Sequence, residues 1–133
     1  MYVHRKANVT FLANPRTASR STAEALLSVG FIMDGSHHSF DASRARGLIF
    51  AVVRDEAETL RSWGRHFRID PDDTERILDL LERTRPIIPG WTEGLFPHAA
   101  RATVVLAFSD LERELNELLE GFGLPRVKLP HIQ

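Results

Sequence analysis

Apolar residues along this chain fall into two patterns, short continuous runs and stripes at helical spacing. Val9 to Ala13 is a partly β-branched run that Asn14-Pro15 breaks, which predicts a buried strand followed by a loop. Ser21 with Glu24 three residues on is a capping-box pattern, and Ser19 is an alternative cap. A helix is therefore predicted from residues 19–21 to about Val29, with Gly30 as its stop. Phe31 to Met33 is a candidate short strand, and the polar stretch from Asp34 to Arg46 reads as loop. Gly47 to Val53 is the clearest apolar run, as expected of a central parallel strand covered on both faces.

A second helix is predicted from Glu56, with Leu60, Trp63, Gly64 and Phe67 on one face. Asp70-Pro71-Asp72-Asp73 predicts the start of a third: an Asp cap, Pro in the first turn and acids at the positive helix end. Ile77, Leu78 and Leu81 form its apolar stripe, and Pro86 and Pro89 end it before an irregular stretch to Ala100. Thr103 to Phe108 reads as another buried strand. Ser109 and Glu112 form a capping box for a last helix with Leu111, Leu115, Leu118, Leu119 and Phe122 inward, stopped by Gly121, Gly123 and Pro125. Strands alternating with helices predict an α/β domain: three layers, a mostly parallel sheet and flanking helices. In such sheets ligands bind beyond the C-terminal strand ends, here the loops after Ala13 and Val53.

The length of 133 residues suits a single domain over 1–133. The absence of cysteine excludes disulfides and thiolate chemistry. No apolar run is long enough for a membrane helix, and Met1 to Lys6 lacks a signal core, so the expectation is a cytoplasmic protein without membrane partners. A net charge of −1 argues against a general nucleic-acid binder. A homo-oligomer is compatible with the sequence, but no dimer seam is legible.

Local clusters change the picture more than the net charge does. Arg16, Thr17, Ser19, Arg20, Ser21 and Thr22 crowd the predicted strand–loop–helix turn. First-turn N–H groups and the helix dipole make that turn a ready anion site, with Arg16 as cation and hydroxyls as donors. A capped helix with solvated arginines explains the same residues. The Walker A pattern is absent. Arg54 follows the central strand, and Ser62, eight residues on, falls on roughly the same side. The pair suits a second anion, with Arg61 and Arg65 as nearby options; a strand-end arginine paired with Asp55 or Glu58 is the plain alternative. His37 and His38 stand in the polar loop, either as solvated residues or as a general base. A metal reading is weak there, for no third ligand is evident.

Taken together these features resemble the PAPS-dependent sulfotransferase superfamily, a P-loop-related fold, and within it the carbohydrate branch. Asn14-Pro-Arg-Thr-Ala-Ser19 resembles its 5′-phosphosulfate loop. Phe50-Ala-Val-Val-Arg54-Asp55 with Leu60-Arg-Ser62-Trp resembles its 3′-phosphate element. Val105 to Leu111, then Gly123-Leu-Pro and Leu129-Pro-His131, are similar to the carbohydrate branch's tail. The resemblance implies 3′-phosphoadenosine 5′-phosphosulfate (PAPS) as donor, 3′-phosphoadenosine 5′-phosphate (PAP) as product, no metal, and a hydroxyl acceptor, often on a glycan. It places Pro15, Arg16, Thr17, Ala18, Ser19, Arg20 and Ser21 on the 5′ end of the nucleotide, and Arg54 with Ser62 on the 3′-phosphate. It makes His37 or His38 the catalytic base, with Arg16 beside the transferring group. A non-catalytic nucleotide-binding domain of the same fold and, less well matched, a small kinase-like phosphotransferase are the alternatives.

Overall fold

The computed structural model describes residues 1–91 and 94–130. Its strands are β1 (Tyr2–His4), β2 (Val9–Leu12), β3 (Ile32–Met33), β4 (Leu48–Val53) and β5 (Val104–Ala107). Its helices are α1 (Ser19–Leu27), α2 (Glu56–Phe67), α3 (Thr74–Thr84) and α4 (Leu111–Gly121). The strands form one sheet in the order β3-β1-β2-β4-β5. β2, β4 and β5 pair in parallel, whereas β1 is antiparallel to both β2 and β3. The sheet is therefore mixed, not mostly parallel as the alternation of elements predicts. The cause is local. Arg5 to Asn8 closes a tight hairpin in which Asn8 takes a left-handed φ of 59° and its N–H donates to the His4 carbonyl at 2.9 Å. A turn that short joins antiparallel strands, whereas a parallel pair needs a long crossover.

One face of the sheet carries the main core. Phe11 and Phe50, both fully buried, pack with Val9, Val52 and Leu106 against Leu26 of α1 and Leu111, Leu115 and Leu119 of α4. Each such side chain contributes about 1.5–3 kcal/mol relative to leaving it exposed. A second cluster of Met1, Val3 and Leu12 packs with Ile49 of β4 and the loop residues Phe40 and Ala45. The hairpin of α2 and α3 has its own cluster of Trp63, Ile77, Leu81 and Trp91. Gly64 lets this hairpin close: a Cβ there would lie 2.8 Å from the Pro71 Cα in the turn and 3.0 Å from Ile77 Cδ1 of α3.

α1 starts within the predicted residues 19–21, but the caps of three helices differ from the predicted ones. α1 begins at Ser19 behind Ala18, a left-handed residue with no side-chain cap, so neither Ser21 nor Ser19 caps it. α3 begins at Thr74, where Asp73 accepts from the Arg76 N–H; Asp70 instead accepts from the Asp72 N–H in the turn before. Pro71 therefore lies outside the helix. α4 has Asp110 at its N-cap without a side-chain capping bond, its carboxylate accepting from Arg113 instead, and Glu112 accepts from the Leu129 N–H. Asp55 caps α2, accepting from the Glu58 N–H at 3.0 Å. Among the described residues no helix is long and apolar enough to cross a membrane. His131 lies outside the described residues.

Candidate functional site

Because β2 and β4 are parallel neighbours, their C-terminal ends open on the same edge of the sheet. A cavity of about 750 Å³ lies there. Its wall includes Pro15, Arg16, Ala18, Ser19, Arg20 and Ser21 from the loop and first turn of α1. Arg54, Ser62, Trp63, Arg65 and His66 come from β4's end and α2, and His38 from the long loop. Thr84 and Ile88 complete it. Four of these residues are arginines and none is a carboxylate, although the whole chain carries a net charge of −1. Such a concentration of one sign suits an anionic ligand.

The loop backbone is built for close approach. Arg16 and Ala18 both hold left-handed conformations, with φ of 58° and 59°. For non-glycine residues this costs roughly 1–2 kcal/mol each. Left-handed residues in short loops turn N–H groups toward a bound anion, and strain of this kind clusters at ligand sites. Thr17 does not face the cavity: it is fully buried, and its hydroxyl donates to the Asn14 carbonyl at 2.8 Å. Its part is to fold the loop.

The two predicted anion elements touch each other. Arg16 Nε donates to Ser62 Oγ at 3.0 Å, and Arg54 Nη1 donates to the Arg16 carbonyl at 3.4 Å. The Arg16 guanidinium lies 5.9 Å from the Trp63 ring centre, and that of Arg54 lies 4.2 Å from the Phe108 ring. Burial first, then the nearby Arg54 and Arg65 charges, hold the Arg16 pKa below the usual arginine range. Arg54 makes no ion pair among the described residues, whereas Arg61 is held by Glu58 at 2.9 Å and Asp72 at 3.1 Å. Arg65, which lines the cavity, is thus the better third cation.

The two histidines separate. The His37 ring is engaged at both nitrogens, by Tyr2 Oη at 2.6 Å and Ser19 Oγ at 3.0 Å. Its pKa falls to about 4, mainly through burial and further through His38, Arg20 and the chain's amino group. His38 lines the cavity, and its Nδ1–H donates to the Ala13 carbonyl at 2.8 Å. That bond places the proton on Nδ1 and leaves Nε2 as an acceptor. Burial, opposed by the bond to Ala13, lowers its pKa and so favours the neutral ring.

Sequence reasoning did not find His98, which is fully buried beneath the cavity loops. Apart from Arg101, three residues on, its partners are distant in the chain, so no local pattern marks it. Trp63 was legible only as part of a helix face and Arg65 as an option beside Arg54 and Ser62, while no pattern in the sequence marks His66. Comparison of the chain with protein-family models, with curated proteins and with solved structures gives no match.

Proposed function

We propose that this cavity binds PAPS and PAP and that the protein transfers a sulfuryl group to a hydroxyl acceptor. The reading gives the β2–loop–α1 unit the part of the nucleotide loop in a P-loop-related sulfotransferase fold, with β1 inserted antiparallel between β2 and β3. One observation carries it: a single cavity gathers the loop residues 15, 16 and 18–21 with Arg54, Ser62 and His38, residues up to 47 positions apart along the chain. A ligand with anions at both ends of a nucleoside matches that distribution of cations.

In this reading the α1 N-terminus and Arg16 neutralise the 5′-phosphosulfate, while Arg54, Ser62 and Arg65 hold the 3′-phosphate. His38 Nε2 takes the proton of the acceptor hydroxyl as its oxygen forms a bond to sulfur. The bond between sulfur and the bridging phosphate oxygen breaks, and its electron pair leaves with PAP. Arg16 offsets the charge that develops on the leaving phosphate. His37 fits the base less well, because Tyr2 and Ser19 engage both of its nitrogens.

A binding-only role has its own support: Arg16, assigned to the transferring group, is engaged by Ser62 and Trp63. Thermal stabilisation by PAP compared with ATP, ADP and AMP tests the binding. At a hundredfold excess over Kd, PAP should add about 2.7 kcal/mol. Equal stabilisation by all four nucleotides would reject the assignment. Stabilisation by PAP without sulfuryl transfer to any hydroxyl acceptor would select the binding-only reading.

A further inference from the structure

A closed ring of hydrogen bonds joins the loop that carries His38 to the end of β2. The His38 ring donates from Nδ1 to the Ala13 carbonyl at 2.8 Å. The His38 carbonyl accepts from His98 Nε2 at 2.8 Å. The His98 backbone N–H donates to Asn14 Oδ1 at 2.9 Å, and Asn14 is covalently bound to Ala13. Asn14 Nδ2 in turn donates to the Val52 carbonyl at 2.9 Å, which anchors the ring to β4. Gly90 presses on the same carbonyl of His38: a Cβ there would come within 2.1 Å of it, so only glycine fits.

Arg101 decides the direction of the His98 bond. A guanidinium has donors and no acceptor. Arg101 Nη1 lies 2.9 Å from His98 Nδ1, so Nδ1 must be bare and the proton must sit on Nε2, the nitrogen facing the His38 carbonyl. Arg101 Nη1 also donates to the Gly90 carbonyl at 3.3 Å, and its guanidinium lies 4.9 Å from the Phe40 ring centre, which fixes it beside His98. His98 is fully buried and does not line the cavity, so it has no direct contact with a ligand there. A buried imidazole with Nε2 and its backbone N–H committed to the cavity loops and Nδ1 to Arg101 is costly unless those bonds hold a geometry.

We propose that His98 is a positioning residue: its Nε2–H, locked by Arg101, holds the His38 main chain so that the His38 ring stays in one tautomer with Nε2 toward the acceptor. This rests on the reading of His38 as the base. The test uses His98→Gln, His98→Asn and Arg101→Met. A glutamine amide reaches the place of Nε2 and donates to the His38 carbonyl; an asparagine amide stops near Nδ1 and does not. His98→Asn should retain stabilisation by PAP, lower kcat by about 100-fold, as misplacement of a reacting group does, and change KM little. His98→Gln should restore most of the rate. Nitrogen chemical shifts of the His38 ring should report Nδ1–H alone in the unsubstituted protein and in His98→Gln, and a tautomer mixture in His98→Asn. Arg101→Met should move the His98 and His38 signatures the same way, which covers the case that His98→Asn does not fold. Unchanged His38 tautomer in both His98→Asn and Arg101→Met would overturn the proposal. Because that readout needs no substrate, it decides the role of His98 even if the unsubstituted protein transfers no sulfuryl group, a result that would reject catalysis alone.

Discussion

At the scale of single residues, the partners of each arginine separate ligand cations from structural ones. Arg61 is committed to Glu58 and Asp72, whereas Arg54 rests on the Phe108 ring with no carboxylate partner among the described residues. Arg54→Ala should therefore weaken PAP by about 10-fold or more, the scale of a hydrogen bond to a charged group, and AMP much less, since AMP has no 3′-phosphate. Arg61→Ala should change neither. Calorimetric titration of both nucleotides checks this, and an equal loss of AMP and PAP affinity in Arg54→Ala would remove Arg54 from the 3′ site. The histidines make a parallel contrast. His38→Ala should lower transfer by about 100-fold or more, the usual share of a general base, while PAP still stabilises the protein. His37→Ala should act through Ser19 and so weaken PAP binding as well. Single-turnover rates beside thermal shifts distinguish the two.

At the scale of elements, what was legible followed from how local the determining physics is. The run Gly47 to Val53 identified β4 because a buried strand writes a continuous apolar segment. The start of α2 was legible from the apolar face of Leu60, Trp63, Gly64 and Phe67, while Asp55, which caps it, reads in the sequence only as a partner for Arg54. β1 escaped notice: its three residues carry no periodicity and acquire meaning only when paired with Phe11, Thr10 and Val9. The uncapped start of α1 escaped too, since Ser19, a cap by residue type, instead bonds the His37 ring. Leu78 fits the apolar stripe of α3 by spacing yet is 42% exposed, because α2 covers only the Ile77 and Leu81 side. Gly64 was placed on the apolar face of α2, but its reason is contact with the Pro71 backbone. Gly64→Ala should then destabilise the protein by roughly 1–3 kcal/mol, the cost of overpacking, despite alanine's better helix propensity. Urea unfolding measures it, and a gain in stability would show that the two helices separate freely.

At the scale of the whole molecule, the site couples stability to pH through buried neutral histidines. His37 and His98 each titrate near pH 4 in the folded protein, against an ordinary 6.5 when unfolded. Burial is the main cause in both; at His98 the bond to the His38 carbonyl opposes it, while Arg101, His38 and the chain's amino group add to it. His38 and His66 shift in the same direction. Between pH 6.5 and 4 the unfolded chain therefore holds more protons than the folded one. Stability rises with pH wherever the unfolded state binds more protons, so acidification through this window must destabilise the fold, and this contribution levels off below about pH 4. Urea midpoints at several pH values between 7.5 and 4.5 read the effect. His98→Gln should reduce the slope by about one proton, because glutamine does not titrate. Stability that holds constant or rises on acidification would mean that these rings are charged in the folded protein. A charged His98 would repel Arg101 instead of accepting from it, so the same pH series tests the tautomer on which the orientation of His38 depends.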